Sequence, residues 1–158
     1  MYQVLGDEPG KYILFGEWMF AKHSLEYVRL PDYFIAFDIY DCASRRFLRC
    51  GSCTCQQFID SNSIISTTDR DRLLADTSIS TVPLIAEGRF ASKQQLLQLL
   101  DTPSQFYDGP VEGIYLRVHD AEGVYLADRS KLVRTDFIQG ITEHWMSREL
   151  VRNKLANG

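Results

Sequence analysis

Residues 32–41 read DYFIAFDIYD, a run of aromatic and β-branched side chains that is typical of a β-strand. Successive side chains of a strand point to opposite faces of its sheet, so Phe37 and Asp38 are predicted to leave it on opposite sides. By the same alternation, the Phe37 face adds Ile35 and Ile39, and the Asp38 face adds Ala36 and Tyr40. The stretch therefore predicts a strand with an aromatic ring on one side and a carboxylate on the other.

A second strand is predicted upstream, at residues 11–20, which read KYILFGEWMF. Its alternation puts Glu17 on a face that is otherwise apolar, with Ile13, Phe15 and Met19. An ionised carboxylate among apolar neighbours is costly unless it meets a cation or a hydrogen-bond donor. We therefore expect Glu17 to have a partner elsewhere in the fold.

A third strand is predicted within residues 109–120, which read GPVEGIYLRVHD. One of its faces carries Ile114, Leu116 and Val118, and the other carries Tyr115, Arg117 and His119. Glu112 stands just before this alternation begins. It is either a turn acid followed by a solvated arginine, or a functional carboxylate held at the mouth of a strand.

Helices and further strands complete a mixed pattern. Residues 67–76 and 92–101 predict two helices; the second has a capping box at Ser92 and Gln95 and ends before Pro103. Three other stretches predict a short edge strand at 80–88, a strand pair at 123–134 and a last helix at 136–155, whose apolar face holds Phe137, Ile141 and Trp145. The order predicts one α+β domain over residues 1–158, with antiparallel sheets and flanking helices.

Composition narrows the classes of function. The chain has 158 residues, of which 45% are hydrophobic and 24% charged, and its net charge is −4. An overall positive charge that would attract nucleic acid is therefore excluded, and any polyanion would have to bind at a local patch of basic residues. No apolar run has the length of a membrane span, and the first residues do not resemble a secretory signal. We expect an intracellular, cytoplasmic protein that does not enter the membrane.

The four cysteines, Cys42, Cys50, Cys53 and Cys55, fall within fourteen residues. Thiolates at short spacing can converge on one tetrahedral zinc ion. Structural zinc sites usually draw on two separated pairs of ligands, however, and this chain has no second pair. Free thiols in a strand and turn are the alternative, and the sequence leaves both open.

The strands and their order resemble the ATP-dependent RNA ligase family, within the superfamily of polynucleotide ligases and capping enzymes. LFGEWMFAKHS resembles the third nucleotidyltransferase motif, FIAFDIYD the aromatic and acidic motif after it, VEGIYLR the fourth and KLVRTDF the fifth. The tail GITEHWMSRELVRNKL is similar to the segment that closes the ligase domain. The resemblance implies a partial nucleotidyltransferase domain with an ATP-grasp-like fold, which uses ATP and Mg²⁺ and acts on RNA ends.

The resemblance also implies a role for each motif residue. Glu17 would bind the ribose, Phe37 would stack on adenine, and Asp38 would support the site. Glu112 would hold the divalent metal or orient the nucleophile, and Lys131 would contact the α-phosphate. Two arginines stand at or beside positions where the family has lysines, and they would serve phosphates: Arg117 and Arg134.

The family's nucleophile has no counterpart in this sequence. It is a lysine in a Lys-x-x-Gly motif, and no lysine of this chain is followed by glycine three positions on. The resemblance therefore predicts an N-terminally incomplete ligase domain that is inactive by itself. The alternatives are a non-catalytic remnant that binds nucleotide or RNA, and a zinc module built on the cysteines.

Overall fold

The computed structural model of this protein describes residues 9–47, 69–119, 125–135 and 149–157. These residues form two sheets, which are antiparallel apart from one short parallel pair, and a few short helices. The predicted mixture of antiparallel strands and helices is confirmed, with strands in the majority. Within the described ranges, no helix is long and apolar enough to cross a membrane.

The first sheet is built around one central strand. Strand β2 (Phe34–Asp41) pairs antiparallel with β1 (Tyr12–Trp18) along one side. On its other side it pairs antiparallel with the two-residue β3 (Arg46–Phe47) and parallel with the two-residue β4 (Ser80–Thr81). The predicted edge strand at 80–88 is thus shortened to two residues.

A bulge in β2 overturns the predicted assignment of its faces. Phe15 pairs with Asp38 and the next residue, Gly16, pairs with Ala36, so Phe37 is the extra residue. An extra residue reverses the alternation beyond it. Ile39 consequently packs with Ala36 in the core, although strict alternation had placed these two on opposite faces.

The core of the first sheet lies under helix α1 (Asp69–Leu74). Leu74 of this helix packs on Ala36 and Ile39, and these three buried residues are flanked by half-buried side chains that include Tyr12, Leu14 and Phe34. The same helix supports the bulge, since Nη1 of buried Arg70 donates to the carbonyl of Phe37 at 3.1 Å. The carbonyl of the extra residue is thereby satisfied.

The second sheet is a hairpin of β5 (Gly113–His119) and β6 (Leu126–Val133). The predicted strand pair at 123–134 is, in its described part, this single strand β6. Gly113 is required where the two strands meet, because a Cβ there would lie 2.5 Å from the Leu132 carbonyl oxygen. The backbone N–H of Arg134 then donates to the Glu112 carbonyl at 3.0 Å and closes this end of the hairpin.

The helix predicted at 92–101 is confirmed. Helix α2 (Lys93–Gln98) continues into a 3₁₀ helix (Leu99–Asp101). The Ser92 hydroxyl accepts from the Gln95 N–H, and the Gln95 side chain accepts from the Ala91 N–H at 2.8 Å. Both side chains of the predicted capping box therefore satisfy backbone donors at the start of the helix.

The described end of the chain is extended, so the helix predicted for 136–155 is wrong over 149–155; residues 136–148, with its apolar face, lie outside the described residues. Residues 151–156 instead lie alongside two upstream segments, 20–22 and 27–30, and share five backbone hydrogen bonds with them. Asn153 is buried at the centre of this contact. Its Oδ1 accepts from the Tyr27 N–H at 2.9 Å, and its Nδ2 donates to the carbonyls of Met19 and Ala21.

We predict that Asn153→Ala destabilises the protein by about 3 kcal/mol, because it leaves buried backbone groups without partners. Thermal unfolding followed by circular dichroism measures the effect. Asn157→Ala is the matched control, since Asn157 is exposed four residues later and its loss should change the melting temperature little. Equal melting temperatures for the two variants would contradict the anchoring role of Asn153.

Candidate functional site

Glu112 lies at the centre of a polar cluster that joins three distant parts of the chain. It is half-buried just before β5, and burial raises the pKa of its carboxyl group. A hydrogen bond from Tyr27 acts against that rise in pKa, and the negative charge of Glu17 adds to it. The positive charges of Lys131 and His23 also favour the ionised carboxylate.

These interactions bring together three of the predicted site residues. Glu17 comes from β1, Glu112 from the start of β5, and Lys131 from β6. Glu17 shares its face with Ile13 and Phe15, as predicted, but that face is exposed, with Ile13 at 47% and Phe15 at 38%. Glu17 is itself exposed, so the expected cost of burying its charge does not arise. The interactions seen for Glu17 are repulsive ones, since its charge raises the pKa of Glu112 and of Tyr27.

Tyr27 is a site residue that the sequence analysis missed. Its hydroxyl donates to Glu112, and burial raises the pKa of Tyr27 strongly, as do Glu112 and the charge of Glu17. Phe106 and Tyr107 contact its ring edge-on, with centroids 6.0 and 5.9 Å away. A tyrosine in a connecting segment carries no motif, so no signal in the sequence distinguished it. His23 also acts on the charge of Glu112 and has no role among the predicted site residues.

Asp38 and Arg117 form a buried ion pair between the two sheets, and their side chains are 1% and 2% exposed. Burial raises the pKa of the Asp38 carboxyl group, and the adjacent Arg117 guanidinium opposes that rise. Arg129 and Arg70 act on Asp38 in the same direction as Arg117. The guanidinium predicted to meet a phosphate thus lies against a carboxylate of the neighbouring sheet.

The two remaining predicted residues are Arg134 and Phe37. Arg134 donates to the Leu100 carbonyl at 3.2 Å and pairs with Asp101 at 3.3 Å, so its side chain contacts the 3₁₀ helix. Phe37 is half-buried at the bulge of β2. The structure therefore places Glu17 and Lys131 near enough to Glu112 to act on its charge, and holds Phe37 and Arg134 in other elements.

The described residues contain no group of three or more histidine, cysteine, aspartate or glutamate side chains that could hold a metal ion by themselves. Mg²⁺ does not require such a group, because it keeps several waters and is usually bound through one or two carboxylates and substrate phosphates. Glu112 and Glu17 are carboxylates that repel each other, and they fit that pattern. Cys42 is a free thiol; the other three cysteines of the zinc hypothesis lie outside the described residues.

Comparison with known proteins agrees with the motif pattern. The family model described as RNA ligase matches residues 1–135. No curated protein and no solved structure matches the chain. The match includes every residue predicted to bind nucleotide or metal and ends before Asn153.

We predict that Arg117→Met lowers stability by about 3–5 kcal/mol, because buried Asp38 then loses the positive charge that most opposes the cost of its burial. Chemical denaturation measures the loss. Asp108→Asn is the control: Asp108 pairs with Arg29 at 2.6 Å but is 89% exposed, so its loss should cost at most about 1 kcal/mol. If Asp38→Leu with Arg117→Met is less stable than Arg117→Met alone, the buried charge of Asp38 is not the cause.

Glu112→Gln is expected to raise the melting temperature at pH 7. The pKa of Glu112 in the folded protein lies above its ordinary value. Between these two values the folded state binds more protons than the unfolded state, so stability falls as the pH rises through that range. Glutamine removes the charge and still accepts from Tyr27. The gain should shrink as the pH falls and the wild-type carboxyl is protonated. Melting curves between pH 4 and pH 8 test this, with exposed Glu149→Gln as the charge control; a lower melting temperature for Glu112→Gln at pH 7 would contradict it.

Proposed function

This chain belongs to the RNA ligase family, and we propose that it contributes the nucleotide-binding part of an ATP-dependent RNA ligase domain. The observation that carries the proposal is the convergence of Glu17, Glu112 and Lys131 from three motifs that are far apart in the sequence. Two carboxylates and an ammonium group at one place suit a ligand that carries hydroxyls, phosphates and a divalent metal.

In the proposed reaction, a lysine amine attacks the α-phosphate of ATP and pyrophosphate leaves. The AMP then passes from the lysine to the 5′-phosphate of an RNA end, and a 3′-hydroxyl displaces AMP to seal the strand. Each step is a phosphoryl transfer, in which a protein acts mainly by positioning groups and neutralising charge. The residues of this chain would accordingly bind and orient the nucleotide and the RNA end, without forming covalent bonds to them.

Each cluster residue has a distinct part in this proposal. Lys131 is exposed on β6 and would neutralise the α-phosphate as a point charge. Glu17 would accept hydrogen bonds from the ribose hydroxyls. Glu112 would hold Mg²⁺, which supplies charge neutralisation at the phosphates when it is bound. The Tyr27 hydroxyl donates to the Glu112 carboxylate, which would orient the carboxylate oxygen that binds Mg²⁺ before the nucleotide arrives.

Residues around the cluster complete the proposed pocket. Phe37 would stack on adenine and Arg134 would lie near the phosphates. Asp38 supports the pocket through its buried pair with Arg117. Since the Arg117 guanidinium is held by Asp38, we propose that it acts through that pair rather than by direct contact with a phosphate.

The nucleophile has to come from a segment that carries the Lys-x-x-Gly motif, since this sequence has none. We therefore propose an N-terminally incomplete domain that binds ATP without forming the lysine adduct. The same observation favours a second candidate from another class, a non-catalytic module that binds a nucleotide or an RNA end. The two proposals differ in whether a segment that supplies the lysine restores adenylylation.

We expect ATP to bind the chain weakly and Mg²⁺ to strengthen its binding. Lys131→Ala should weaken the Mg²⁺–ATP affinity about tenfold or more, because a charge-assisted contact to phosphate is lost. Isothermal titration of the wild type and the variant measures this.

Lys93→Ala is the control, since Lys93 is an exposed lysine on α2. An equal loss of affinity in both variants would contradict the placement of the α-phosphate at Lys131. Denaturation after incubation with labelled ATP provides a further check, because a stable AMP adduct would contradict the absence of the nucleophile.

A further inference from the structure

A line of cationic and aromatic side chains extends from Lys131 away from Glu112. Arg129 precedes Lys131 by two positions on β6, so both side chains lie on one face of the strand, about 6.6 Å apart at 3.3 Å per residue. Both are exposed. In the hairpin register Lys131 pairs with Tyr115, which is also exposed, and Arg129 pairs with Arg117. This face of the hairpin therefore carries a row of positive charge although the whole chain is acidic.

Aromatic rings from the first sheet meet this row. The Arg129 guanidinium lies 5.3 Å from the centroid of the Phe47 ring. The Phe47 ring in turn lies 5.6 Å from the ring of Phe15, which is exposed on β1 two residues before Glu17. Phe15 and Arg129 thus approach Phe47 from different sheets, and Phe47 links the exposed face of β1 to the exposed face of β6.

One neighbouring arginine lies outside this group, because successive side chains of a strand point to opposite faces. Arg46, the preceding residue of β3, is exposed and lies 4.4 Å from the centroid of the Tyr125 ring. We call Phe15, Phe47 and Arg129 together the Phe47 surface. It begins at Arg129, two residues before Lys131 on β6, and combines one cation with two aromatic rings.

We propose that the Phe47 surface binds a single-stranded segment of the RNA substrate, beside the nucleotide held at Glu17, Glu112 and Lys131. Aromatic rings provide stacking platforms for bases whatever their identity, and an arginine held over a ring, as Arg129 is, can neutralise a phosphate beside them. The proposal rests on the proposed function, to which it adds the path of the RNA. The RNA would lie next to the proposed α-phosphate position at Lys131, and it would be bound by residues other than Glu17, Glu112 and Lys131.

The test measures binding of a fluorescein-labelled, 5′-phosphorylated RNA single strand of about 12 nucleotides, a length within the range that such surfaces cover. Arg129→Gln should weaken binding several-fold and reduce the slope of log affinity against log salt by about one unit. Phe47→Leu should weaken binding about tenfold, because it keeps an apolar side chain and removes the stacking ring. Thermal melting of each variant shows whether it is folded.

Two controls separate this surface from general charge and general aromatic content. Arg89→Gln removes the same charge from an exposed position, and Trp18→Leu removes a ring that is 62% exposed on β1 but outside the Phe47 surface. Both should leave RNA affinity within about twofold of the wild type, since neither position contributes to the surface. Losses equal to those of Arg129→Gln and Phe47→Leu would overturn the proposal, as would a wild-type chain that does not bind the RNA.

Titration of Mg²⁺–ATP against the same variants distinguishes this proposal from the proposed function. Loss of RNA affinity with unchanged ATP affinity supports a separate RNA path. Loss of ATP affinity in Arg129→Gln and Phe47→Leu would overturn it, because the surface would then belong to the nucleotide site. RNA binding by the Phe47 surface in a chain that does not bind ATP would support this inference and count against the nucleotide site.

Discussion

The buried ion pair of Asp38 and Arg117 constrains how the two sheets meet. Both charges are buried against each other, so a shift of one sheet relative to the other would leave buried charges without this ion pair. A hydrophobic contact tolerates sliding, whereas an ion pair at this depth favours one register. The bulge at Phe37 is what turns Asp38 toward the second sheet, and Arg70 stabilises that bulge through the Phe37 carbonyl.

Once Asp38 and Arg117 meet, the antiparallel register of the hairpin determines which residues line the region between the sheets. Arg129 pairs with Arg117 across the hairpin, and Lys131 follows two residues later on the same face of β6. Glu112 lies at the end of the same hairpin, where Lys131 and Glu17 act on its charge. The polar cluster around Glu112 is therefore a consequence of strand pairing around one buried contact rather than of any single local motif.

The extended C-terminal segment contributes to the cluster indirectly. The Asn153 side chain accepts a hydrogen bond from the Tyr27 backbone, and the Tyr27 hydroxyl donates to Glu112. Asn153, which lies beyond the residues matched by the family model, therefore helps to position the tyrosine that binds Glu112. The strong rise in the pKa of Tyr27 and the raised pKa of Glu112 have a shared cause, since both groups are removed from water beside a like charge. Polar groups that are costly to bury and converge on one point are characteristic of sites evolved for binding rather than for stability.

The sequence by itself determined the strand-forming runs of β1, β2 and β5, the start of α2 at Ser92, and the acids and lysine of the cluster. These follow from local propensity, from the capping pattern and from motif resemblance, all of which act over a few neighbouring residues. The tertiary structure alone decided the bulge at Phe37, the burial of Arg117, the roles of Tyr27 and Asn153, and the extended end of the chain. Each depends on a partner more than 30 residues away: Arg70 donates to Phe37, Asp38 pairs with Arg117, and Asn153 contacts Tyr27. Residues 149–155 are extended although their sequence has helical periodicity. In the extended form Asn153 satisfies buried backbone groups that a helix would leave without partners.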